Sequence, residues 1–304
     1  MKKIGIWLLL LFLSLTVYSQ SDKGMDSRFF TKKEFNSGYS EEKYVATNVY
    51  KRMLKDGFKD YALAKFDIDF ISDSSQKLDT LSTFLQENYD FKFEKPVQDD
   101  DHWILTGTAT ALPYTEEDLM FWVIDLYCKG YEFDCRLDGY GALSDPGSLS
   151  YLEADPEVPV DFYNEGLNEI NKRNFGKAII YFSVAIKSSP KMKEAWQARG
   201  YCKEMIYSYK AARRDYDKAL EIDPDYTDAL LIRATNKDDA GEYDVALIDY
   251  NRVIELEPDN GLAYYNRGNT KFNLGDKSGA CMDWTKAKSL GETDAQKRID
   301  AECK

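Results

Sequence analysis

The chain has 304 residues, a formal net charge of −13 and a single histidine. A length of this order divides into about two domains, each able to bury a core. Acid at this density repels the phosphates of nucleic acid, which argues against direct nucleic-acid binding and favours a protein or peptide partner, basic if charge guides it. The acid is uneven: residues 81–158 carry −13 and residues 159–304 only −2.

The first residues, MKKIGIWLLLLFLSLTVYSQ, divide into a charged start at Lys2 and Lys3, an apolar run over 4–15 and a small-residue exit at 17–19. That is the layout of a secretory signal, cleaved after Ser19, and the run is shorter than the roughly 20 residues that span a bilayer. The expectation is an exported chain, periplasmic or secreted, with no membrane attachment once residues 1–19 are gone. No cysteine precedes Cys128, which argues against a lipid anchor. Cys128, Cys135, Cys202, Cys281 and Cys303 show neither a CxxC nor a regular spacing, so no metal or cofactor site is expected. Export permits a disulfide that the spacing does not specify.

Residues 20–40 read as a flexible segment, followed by a small α+β domain over 41–147. Residues 41–56 place Val45, Val49 and Met53 on one helical face, and Gly57 ends the helix. YALAKFDIDF alternates, with Phe66, Ile68 and Phe70 inward, as in a half-buried strand. Asp73 and Gln76 have capping-box spacing before a helix carrying Leu78, Leu81 and Leu85. DFKFEK and HWILTGTATA predict two strands joined at Asp99–Asp101, and Thr115 with Asp118 starts a helix running to about Lys129. That helix carries two apolar stripes, Leu119, Trp122, Val123, Leu126 and, opposite, Phe121, Ile124, Cys128. A helix covered on one side needs only one, so the leading helix or the following domain is expected to cover the second. YEFDCRLD predicts the last strand, with Tyr131, Phe133, Cys135 and Leu137 inward.

Strand, helix, strand, strand, helix, strand is the split βαβ of a ferredoxin-like fold, here with an extra leading helix. On KDGFKDYALAKFDI, the acidic hairpin and the closing LDGYGALSDPG, residues 41–147 resemble the regulator of ribonuclease activity B family, also called ribonuclease E inhibitors. The resemblance implies regulation of a ribonuclease by contact and without chemistry. It conflicts with export, because that ribonuclease is cytoplasmic.

Two features invite a chemical reading. Gly139-Tyr140-Gly141 resembles a phosphate loop, but such a turn must open a helix, and here the glycines close a strand before Pro146-Gly147. His102 follows Asp99-Asp100-Asp101, yet one turn supplies no nucleophile, base and dry pocket together, so a hydrolase built on 99–102 is the least favoured reading. No catalytic residue is assigned.

After a linker over 148–158, a 34-residue period takes over. Pro190, Pro224 and Pro258 keep it, as do Ala178, Ala212, Ala246, Ala280 and the aromatics Phe182, Tyr216, Tyr250, Trp284. So do Gly166, Gly200, Ala234 and Gly268. Small residues permit close helix approach, aromatics fill the gaps, and each proline ends a helix. A unit of this kind buries its apolar face only by stacking into a solenoid. The pattern resembles the tetratricopeptide repeat, in copies at 159–192, 193–226, 227–260 and 261–294, with a capping helix completing the all-α region at 159–304. Copies two to four share Arg199, Arg233, Arg267 and Asp215, Asp249, Asp283, while copy one has Glu165 and Tyr181 instead. Loss of both together points to an Arg–Asp bridge within a repeat.

The resemblance also implies a concave groove lined by the first helix of each copy. Its groove-facing positions here include Tyr163, Leu167, Gln197, Tyr201, Leu231, Thr235, Tyr265 and Asn269. The lysines with which chaperone-binding relatives hold a peptide carboxylate are missing, so the expected ligand is an extended peptide or helix resting on tyrosines. The composite expectation is an exported, non-catalytic interaction protein, with a cytoplasmic ribonuclease regulator as the alternative.

Overall fold

The computed structural model describes residues 28–144 and 161–303. The signal segment at 1–19, the linker at 148–158 and the start of the first predicted repeat lie outside the described residues. Two regions result: a small antiparallel sheet with helices, and a helical solenoid.

Helix α1 spans Lys32–Lys55. It starts nine residues before the predicted 41, within the stretch expected to be flexible. Two local causes account for the difference. Thr31 and Glu34 form a reciprocal capping box that satisfies the first free amides. Phe30 and Phe35 are buried against Tyr127 and Tyr131, at centroid separations of 4.4–5.6 Å. Asp134 adds to the anchor by accepting from the backbone N–H groups of Phe29 and Phe30.

Strand β1 (Leu63–Ser72) is the centre of the sheet. It pairs antiparallel with β4 (His102–Thr108) on one side and with β6 (Arg136–Ser144) on the other. Strands β2 (Lys92–Phe93) and β3 (Val97–Asp99) add to the far edge of β4, and β5 (Leu112–Pro113) pairs with the start of β1. The predicted strand at DFKFEK is thus shortened to Lys92–Phe93, and Pro96, with no N–H to give a ladder, separates it from β3. Phe66, Ile68, Phe70 and Leu105 are fully buried on the helix-covered face. On the other face Thr106 and Thr108 donate to Asp69 and Asp67 at 2.6 and 2.9 Å.

Two further sequence expectations need correction. Helix α2 (Ser75–Tyr89) has Ser74 at its N-cap with no side-chain cap; Asp73 instead binds Lys77 Nζ at 2.7 Å, an i,i+4 ion pair that displaces the Asp73–Gln76 box. Tyr131 and Phe133 belong to α3 (Glu116–Glu132) and its C-cap, so the last strand begins at Arg136 and runs eight residues further. Gly139, Tyr140 and Gly141 therefore lie inside β6, opposite Asp69, Ile68 and Asp67. They form a strand held by the full length of β1 and do not close one. A Cβ on Gly141 would meet nothing within 4 Å, as expected on an open sheet face.

Helix α3 is capped by Thr115 and Asp118 as predicted. Both of its apolar stripes are buried, and even Asp125 and Lys129 are about 1% exposed. The sheet covers one side, with Phe66 and Trp122 centroids 5.3 Å apart. Helix α1 and the first helical pair cover the rest. A helix enclosed all round needs apolar residues all round, which explains the second stripe.

The solenoid is built from α4 (Phe162–Asn171) with α5 (Phe175–Ser188), α6 (Lys193–Met205) with α7 (Tyr209–Ile222), α8 (Thr227–Asp239) with α9 (Tyr243–Leu256), and α10 (Gly261–Asn273) with α11 (Lys277–Ser289). Helix α12 (Asp294–Glu302) covers the end and is tied to α11 by a Cys281–Cys303 disulfide. Copy one is specialised for docking. Its Ile179 and Ile180 are buried in the core shared with the sheet region, and Val184 is fully buried as well, where copy two has Arg213, Arg214 and Lys218 at the corresponding positions. A Cβ on Gly176 would come within 2.9 Å of the Trp122 backbone. One continuous apolar core consequently runs from Phe30 through Trp122 and Phe182 to Ala211.

Candidate peptide-binding face

Helices α4, α6, α8 and α10 each present two predicted contact residues four apart, and therefore on one face. Tyr163 and Leu167 lie on α4, Gln197 and Tyr201 on α6, Leu231 and Thr235 on α8, Tyr265 and Asn269 on α10. None is freely exposed: seven are half-buried, and Gln197 is only 4% accessible. Several carry packing duties. The Tyr163 ring stands 5.8 Å from Phe182, and Tyr201 meets Phe175 edge-on at 6.4 Å. Thr235 Oγ1 bonds the Leu231 carbonyl and lies 3.2 Å from the Tyr250 hydroxyl. Asn269 Oδ1 accepts from Trp284 Nε1 at 3.1 Å.

Beside this stripe lies a set of carboxylates that the sequence reading missed. Glu194 and Glu204 come from α6, Asp228, Asp238 and Asp239 from α8. Partial burial raises the Glu204, Asp228, Asp238 and Asp239 carboxyls above the usual range; neighbouring acid adds to the rise at Glu204, Asp228 and Asp239, and the Lys193 charge opposes it at Asp228. Burial and the charges of Glu194 and Asp228 likewise push the Tyr163 hydroxyl up to about 12. Among the described residues no Lys or Arg nitrogen lies within ion-pair distance of these five acids. The signal was present in the sequence as Asp or Glu one turn before or after the predicted contact residues, but acid on a helix reads equally as solvated surface.

The structural acids are treated differently. Asp215, Asp249 and Asp283 each receive two bonds from an Arg of the same helical pair, at 2.7–2.9 Å. Lys203, Lys237 and Lys271 each add a second cation at 2.8–3.0 Å. The remaining guanidinium nitrogen crosses to the preceding pair, onto Ser183, Asp217 or Asn251. The predicted Arg–Asp bridge exists, and it also joins neighbours.

The chemical candidates stay dispersed. His102 pairs across the hairpin with Asp99, half-buried at the end of β4, beside exposed Asp100 and Asp101. Among the described residues no three His, Cys, Asp or Glu side chains are grouped to hold a metal ion. No described helix is long and apolar enough to cross a membrane.

Comparison with known proteins places part of the solenoid. The family model described as TPR repeat matches residues 239–275. Superkiller protein 3 of Schizosaccharomyces pombe is 37% identical over 60 residues, covering 20% of this chain and 4% of that protein. RNA polymerase II-associated protein 3 of Mus musculus is 25% identical over 198 residues, covering 65% and 26%. The crystal structure of MamA superposes with a TM-score of 0.43 at 24% identity, covering 48% of this chain and 85% of that one. The chain spans about a quarter or less of the length of the curated relatives it matches. Residues 239–275, from the end of α8 through α9 and α10, are the part of this solenoid that matches tetratricopeptide-repeat sequence.

Proposed function

We propose that this chain is an exported, non-catalytic interaction protein that holds an extended basic peptide along helices α4, α6, α8 and α10. The observation that carries the reading is the pairing of half-buried tyrosines with carboxylates left without a cation. Tyrosine offers broad contact at small entropic cost, and a Lys or Arg of the ligand would neutralise the acids while resting on the rings. In this reading the solenoid comprises four repeats, at 159–192, 193–226, 227–260 and 261–294. The strand order β6-β1-β4-β2/β3, with α2 and α3 following β1 and β4, supports a ferredoxin-like α+β half. Export is supported by the Cys281–Cys303 disulfide, since such bonds persist in oxidising compartments.

The test is fluorescence anisotropy with a ten-residue Lys/Arg-rich peptide and its Asp/Glu counterpart, on wild type and on Glu194→Gln/Asp228→Asn. Salt-sensitive binding of the basic peptide alone, lost in the double variant at an unchanged thermal midpoint, is expected. Equal binding of both peptides, or an unaffected variant, overturns the reading. Contact regulation of a ribonuclease is the second reading, favoured by the exposed acid at Asp100 and Asp101, which offers negative charge to a site made for RNA. N-terminal sequencing separates the two: a mature chain from Gln20 supports export, a retained Met1 on cytoplasmic protein the regulator.

A further inference from the structure

The seam between the sheet region and the solenoid has a carboxylate at its centre. Asp125 of α3 is 1% exposed. Its Oδ2 accepts from the Tyr89 hydroxyl of α2 at 2.8 Å and from the Gly176 N–H, at the start of α5, at 2.9 Å. Tyr89 also reaches the Arg173 carbonyl, at 3.1 Å, so three segments meet at this one side chain. The other oxygen, Oδ1, is buried without a hydrogen-bond partner among the described residues. A buried carboxylate with an unsatisfied oxygen is costly when ionised and much less so when neutral.

We propose that Asp125 makes the seating of the α+β half on the first helical pair proton-dependent, so that the contact tightens as the pH falls. The surrounding groups leave this sense intact. From its own helix, Lys129 favours the ionised form, but its ammonium is held by Glu132 at 3.0 Å, and Glu132 opposes it. The neutral thiols of Cys128 on α3 and Cys202 on α6 are raised further by the Asp125 charge. On α5, Lys177 turns away to Asp90 and Glu169. The Arg173 guanidinium faces Glu132 at 4.0 Å.

Burial is the largest influence and raises Asp125 from 3.8 to about 6, against Lys129, the Gly176 amide and Tyr89, which lower it. A carboxyl raised in the docked state contributes stability that is full below 3.8 and is lost as the pH rises through about 6. Between pH 7.5 and 5 the docked state should gain about tenfold over the undocked one. Asp90, held low by Lys177 and then by Lys172, stays ionised over this window and adds no slope.

Hydrogen exchange at the Gly176 amide, corrected for intrinsic rate, reads the contact directly in the full chain. Wild type should show a rise in protection from pH 7.5 to 5 about tenfold greater than that of Asp125→Asn, which is permanently neutral. Should Asp125→Asn not fold, Tyr89→Phe serves: with one donor to the carboxylate gone, the midpoint should move to higher pH. A flat wild-type profile, a slope shared by Asp125→Asn, or an unmoved midpoint in Tyr89→Phe would overturn the proposal.

Discussion

Arg233 and Asp249 face each other across the third helical pair through two parallel bonds of 2.9 and 2.8 Å, and the third guanidinium nitrogen holds Asp217 of the preceding pair. The aspartate is the more deeply buried partner and also accepts Lys237 at 3.0 Å. Removing it strands Lys237 and leaves Arg233 only the more exposed Asp217, whereas removing the arginine leaves the acid one cation. Asp249→Ala should therefore cost about 3–5 kcal/mol and Arg233→Ala less, with a double variant below the sum. Urea unfolding of the four-protein cycle measures this, and additive losses would show that the pair does not couple.

The Cys281–Cys303 bond closes a segment 22 residues apart and fastens α12 over Trp284. Reduction, or Cys303→Ser, should cost about 3 kcal/mol at most, localised at this end of the solenoid. Trypsin cleavage after Lys297 or Arg298 should accelerate on reduction, while the sheet region resists as before. Unchanged cleavage would mean that packing alone holds the cap.

At Gly200 a Cβ would lie 2.5 Å from the Tyr216 ring. Gly200→Ala should destabilise by about 1–3 kcal/mol through overpacking, and Tyr216→Leu should recover part of it. The third pair already places Ala234 against Tyr250, both fully buried, so some widening is possible and the cost should fall at the lower end. Thermal unfolding of the single and double variants decides.

Glu42 on α1 is raised from 4.5 to about 7, by burial first and by Glu41 second. Its contribution is complete below 4.5 and is lost as the pH rises through 7. The thermal midpoint of wild type should decline between pH 6 and 8, and Glu42→Gln should decline less. Parallel curves would remove Glu42 as the source.

The sequence by itself determined what repeats and what alternates. The 34-residue spacing of Pro190, Pro224 and Pro258 and the alternation of Phe66, Ile68 and Phe70 are local periodicities, and a period survives without knowledge of neighbours. It also located the Arg–Asp bridge, because both residues vanish together from the first copy, as Glu165 and Tyr181. What only the tertiary structure decided depends on distant partners. Helix α1 starts at Lys32 because Phe30 and Phe35 find Tyr127 and Tyr131, about a hundred residues away. Gly139 and Gly141 continue a strand because β1 extends opposite them. Cys281 pairs with Cys303 because α12 folds back onto α11. The acids beside Tyr163 and Tyr201 carry meaning only once folding has gathered them along the tyrosines without a Lys or Arg in ion-pair distance among the described residues. Burial and pairing are properties of what surrounds a side chain, and the order of residues along the chain does not state them.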